Sequence, residues 1–140
     1  MRTHIVHRGA AALALAACFV VAGCSGTPAT QDLCANAKQL TSAVAGVQSL
    51  KPDGAKIDEL NTKVDAALAK LDRFQAVTEG RFDTAVSTLR TNLTSLKEAL
   101  AAAGNEAFSA AAPQLTAALK DVSSAFASLN ESLATQCPAG

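Results

Sequence analysis

Apolar residues recur at spacings of three and four along almost the whole of residues 33–133, and this rhythm restricts the fold more than any other feature of the chain. A repeat of about 3.6 residues brings positions so spaced onto one helix face, whereas a strand needs strict alternation, which the chain does not show. The first stripe is Leu33, Ala37, Leu40, Val44 and Val47, and the second is Ile57, Leu60, Val64, Leu68, Leu71 and Phe74. The third is Phe82, Val86, Leu89, Leu93, Leu96 and Leu100, and the fourth Leu115, Leu119, Val122, Phe126, Leu129 and Leu133. Each such helix has one face to bury and only other helices to bury it against. The sequence therefore predicts an all-α protein, an antiparallel bundle of four helices. Alanine supplies 32 of the 140 residues, which favours helix and lets helices approach closely around a thin core.

Punctuation between the stripes is uneven. Lys51-Pro52-Asp53-Gly54 is a turn signal, because proline disfavours helix at the residue before it and glycine tolerates positive φ. Ala103-Gly104-Asn105 ends the third stripe with a glycine suited to a C′ cap. Thr78-Glu79-Gly80-Arg81 reads two ways. It is either a turn, or part of one continuous helix over 54–102 that would span ~74 Å at ~1.5 Å per residue and leave three helices instead of four. The four-helix form is preferred, since compact bundles of shorter helices are common and so long a helix is not. Pro113 belongs either to the first turn of the last helix or to a kink in a helix that begins near Asn105.

The N-terminus carries an address. Arg2, His4, His7 and Arg8 form a basic opening, Gly9 to Val20 an apolar run, and Val21-Ala22-Gly23-Cys24 closes it. The run falls short of the roughly 20 apolar residues that a spanning helix needs. This arrangement resembles the bacterial lipoprotein class, whose lipobox is an aliphatic residue, two small residues and a cysteine. The resemblance covers residues 1–24 and concerns targeting alone. It implies that residues 1–23 are a signal peptide removed on export, that the Cys24 thiol carries diacylglycerol, and that the protein is lipid-anchored to the outer face of a bacterial membrane. Residues 24–31 would then form a flexible tether and 32–140 a single helical domain. The alternatives are cleavage near Ala17 or Ala22, giving a soluble secreted protein, and retention as an uncleaved anchor.

Cleavage before Cys24 would remove both histidines, the sole methionine and Cys18. The 117 residues left have no His, Trp, Tyr or Met; loss of Arg2 and Arg8 takes 12 basic residues to 10 against 12 acidic ones, a net charge near −2. That balance offers no footprint for nucleic acid. With Cys24 lipidated, two cysteines remain, Cys34 and Cys137, and in an exported chain they are expected to form a disulfide. No CxxC spacing and no histidine support a metal site or a reactive thiol pair.

The same inventory speaks against catalysis. A hydrolytic triad uses histidine as its base, and no phosphate-binding glycine loop is present. Asp58 and Glu59 are adjacent and so diverge on a helix, forming no dyad, while Asp65, Lys70, Asp72 and Arg73 read as a solvated face with weak pairs within one helix. Asn92-Leu93-Thr94 and Asn130-Glu131-Ser132 match the glycosylation sequon, which carries no meaning in a bacterial lipoprotein. The terminal lysine used for wall attachment by the short murein lipoprotein is absent, the chain ending Cys137-Pro138-Ala139-Gly140. The expected function is non-enzymatic, without catalytic residues, metal or cofactor: an interaction or structural module that docks an envelope protein. The alternative is a carrier of a small hydrophobic ligand or lipid in the bundle core, which requires an enclosed cavity of several hundred Å³.

Overall fold

A computed structural model describes residues 28–52, 56–105 and 108–138. These form four helices, α1 (Pro28–Gln48), α2 (Ile57–Thr78), α3 (Asp83–Asn105) and α4 (Phe108–Ala134), with no strand among the described residues. Helix α1 packs along α2, α3 along α4, and α2 along α3, while α1 touches α4 far less. The antiparallel register is visible in the cross-helix pairs: Asp65 meets Lys97 and Asp72 meets Arg90, so seven residues forward on α2 are seven back on α3.

The four apolar stripes make the core. All five residues of the first stripe and all six of the third are buried; in the second and fourth, Ile57, Leu68 and Leu119 are only partly so. Ala67, Ala103, Ala111 and Ala125 fill positions between the larger side chains. Helices faced with alanine approach closely, so burial is complete at most leucines although aromatic residues are few.

The Thr78-Glu79-Gly80-Arg81 ambiguity resolves into a turn. Glu79 has φ 51° and ψ 35°, and Gly80 has φ 82°, so two consecutive residues leave the right-handed helical region and α2 ends at Thr78. Thr78 itself is fully buried (0% exposed): its hydroxyl donates to the Gln75 carbonyl, and its own carbonyl accepts from the Arg81 backbone N–H and from Arg81 Nε. Its polar groups are thereby satisfied by the turn they close. Phe74 and Phe82 pack across the same turn with ring centroids 6.0 Å apart.

Two boundaries depart from expectation, and a third is decided. Helix α1 begins at Pro28, so residues 28–31 belong to the helix and not to the tether; Pro28 opens it because a first-turn residue has no helical use for an N–H. Gly104 lies within α3 without positive φ, and the helix runs on to Asn105, so it is not the C′ cap. Of the two placements open to Pro113, the structure gives the interior one: α4, described from Phe108, holds Pro113 in its second turn. The Asp53-Gly54 part of the first turn signal lies outside the described residues.

Candidate functional site

Cys34 and Cys137 are brought together from the two ends of the domain. Cys34 lies in the second turn of α1; Cys137 lies just past α4, where the backbone N–H groups of Gln136 and Cys137 both donate to the Leu133 carbonyl and turn the chain back. The two sulfurs stand 2.05 Å apart and the Cα atoms 5.6 Å apart, across a sequence separation of 103. The pair is only half-buried, in a shallow groove of about 380 Å³ with Lys38, Thr41, Asn130 and Pro138. Antiparallel packing explains the juxtaposition, because an even number of alternating helices returns the chain to the end where it began. Cys24, the residue expected to carry lipid, lies outside the described residues.

Other concavities are open grooves on the outside of the bundle. One, of about 500 Å³, runs between α3 and α4 beside the 79–82 turn and is lined by Arg81, Asp83, Thr84, Thr88, Ser128 and Ser132, among others. A second of about 390 Å³ lies between α1 and α2 over Ser42, Ala43, Gly46 and Ala66, flanked by Lys63 and Lys70. None of the fully buried leucines and valines lines any of these grooves. Three hydroxyls of the α3/α4 groove are spent on their own helices: Thr88 donates to the Thr84 carbonyl, Ser128 to that of Ser124 and Ser132 to that of Ser128.

Charged residues pair between helices, where pairing within a helix was expected. Arg90 bridges to Asp72 at 2.6 Å and also donates to Gln75 Oε1, Lys97 bridges to Asp65 at 2.5 Å, and Lys70 donates to Gln39 Oε1. These pairs are exposed, so they define register more than they stabilise. Asn92, the first sequon residue, donates its amide to the Asp121 carbonyl and so ties α3 to α4. Among the described residues no three His, Cys, Asp or Glu side chains stand as a metal-binding group, and no helix is long and apolar enough to cross a membrane.

Comparison with protein-family models, with curated proteins and with solved structures finds no match to this chain.

Proposed function

We propose that the chain is an exported lipoprotein, lipidated at Cys24, whose bundle serves as a non-enzymatic interaction or structural module at the outer face of a bacterial membrane. The observation that carries the choice of module over carrier is the interior: the apolar side chains of all four helices close on one another, and the grooves lie on the outside. A hydrophobic ligand would need an enclosed apolar cavity, and open grooves lined by lysine, serine and threonine offer it little. The export reading draws support from the lipobox at residues 21–24 and from two cysteines at bonding distance, since disulfides persist in oxidising compartments outside the cytosol.

Two measurements test this. Metabolic incorporation of a fatty-acid probe is expected in the wild type and not in Cys24→Ala; label that persists in the variant rejects lipidation at Cys24. Crosslinking of the anchored protein followed by affinity isolation is expected to retrieve a defined envelope protein. Native mass spectrometry that finds the purified protein with a stoichiometric bound lipid, beyond the covalent anchor, rejects the module in favour of a carrier.

A further inference from the structure

We infer that the bundle rests against an anionic lipid surface by its α1/α2 face. This orientation builds on the anchoring proposed above and adds to it the side of the domain that meets the headgroups.

Among the cations, which also include the exposed Lys51, Lys56, Arg73 and Lys120, two groups stand in different surroundings. Arg90 and Lys97, at the α2/α3 seam, are neutralised by Asp72 and Asp65. Lys63 and Lys70 on one flank of α1, and Lys38 on the other, line the grooves that border α1, and no carboxylate lines either groove. Lys63 and Lys70 are seven residues apart, two turns of α2, so they stand in one row. Lys70 Nζ donates to Gln39 Oε1 at 2.8 Å, which holds it over the seam with α1. The stem of Lys63 lies over Gly46, its Cδ 3.6 Å from where a Cβ would stand on that residue. Between the lysines the surface is made of Ser42, Ala43, Gly46 and Ala66, so no bulky side chain holds them off a flat partner. Glu59, one turn before Lys63, is the acidic residue of the row and forms no ion pair with it among the described residues.

The end from which the tether leaves has the opposite sign. Asp32, Glu79, Asp83 and Glu131 are exposed there against Arg81. An anionic bilayer therefore repels the end of the bundle and attracts the lysine row, tipping the domain onto its α1/α2 side. The tether is short enough for this to matter. Only Ser25, Gly26 and Thr27 separate Cys24 from Pro28. Four steps of about 3.8 Å allow at most ~15 Å, which keeps the start of α1 near the ~8–10 Å range of the surface potential. Each lysine close to such a surface favours association roughly fivefold.

The test uses the lipidated mature protein on phosphatidylcholine vesicles with and without phosphatidylglycerol. An environment-sensitive fluorescent amino acid is placed at Ser42, at Ser124 or at Glu79, and a headgroup-attached nitroxide serves as quencher. With phosphatidylglycerol present, quenching at Ser42 is expected to exceed that at Ser124 and at Glu79 by about twofold or more, the contrast that a lysine row within the Debye length imposes. The contrast should vanish in high salt and in the triple variant Lys38→Gln, Lys63→Gln, Lys70→Gln, whose helical circular dichroism serves as the folding control. Equal quenching at Ser42 and Ser124 overturns the orientation, and strongest quenching at Glu79 overturns it in favour of a domain standing on its end. Flotation with pure phosphatidylcholine reports the lipid alone, so its absence rejects the anchoring, while the pattern on phosphatidylglycerol still decides the face.

Discussion

Replacing Cys34 and Cys137 by serine is expected to cost the protein more than any other pair of conservative changes. The bond spans a sequence separation of 103, and on the chain-entropy account a loop of that size removes about 16 cal/mol/K from the unfolded ensemble, or ~4.7 kcal/mol at ~25 °C. Native contacts add little to the loss, because the cysteines are half-buried and α1 scarcely touches α4 elsewhere. With an unfolding entropy of about 2.1 cal/mol/K per residue, a domain of roughly 110 residues should lose up to ~20 °C in Tm. Thermal melts followed at 222 nm on the oxidised protein, the reduced wild type and the double serine variant measure this directly. The reduced wild type and the variant are expected to melt together, both well below the oxidised form, with helical signal at low temperature unchanged in all three. If the variant melts within about 3 °C of the oxidised wild type, the bond is not acting on an open unfolded chain, and the entropic argument fails.

The glycines supply a set of substitutions with opposite signs. Gly46→Ala is expected to stabilise by about 0.5–1 kcal/mol, because the residue is helical and a new Cβ meets only the Lys63 stem at 3.6 Å. Gly104→Ala should do the same by up to ~1 kcal/mol, a helical site facing open space; destabilisation there would mean that the glycine caps α3 after all. Gly80→Ala should instead destabilise by about 1 kcal/mol or more, since φ is 82° and a Cβ would press on Asp83 Oδ2 at 3.3 Å. Denaturant unfolding with a common m-value reads all three. In the core, Leu93→Ala should cost ~2–5 kcal/mol as a fully buried side chain, against clearly less for the half-buried Leu119→Ala; equal losses by the same assay would contradict the packing described.

Much of the architecture was legible because burial in a helical bundle is written in a single period. The first and third stripes went wholly inside; the second and fourth lost Ile57, Leu68 and Leu119 to the margins. Buried alanines were illegible for a simple reason: in a chain with 32 of them, an inward alanine looks no different from an outward one. The 79–82 turn was ambiguous because Glu79, a residue with no preference for positive φ, shares the left-handed geometry with Gly80, and the sequence advertises only the glycine. Gly104 misled in the opposite direction, standing close to a helix end without forming it. The extra turn of α1 was hidden by the polar run Thr30 to Asp32, which carries no apolar rhythm of its own. Pairing of the end cysteines followed from counting them, whereas the cross-helix ion pairs needed the register, which no single stripe contains.

Joining the ends of the domain also decides how the protein answers to force. A pull applied between the start of α1 and Pro138 would run through the first two turns of that helix and cross from Cys34 to Cys137. Once that covalent bond is formed, the intervening helices lie in a closed loop that carries no load. End-to-end tension on the domain therefore bypasses its core. A partner gripping the middle of the bundle would meet no such protection.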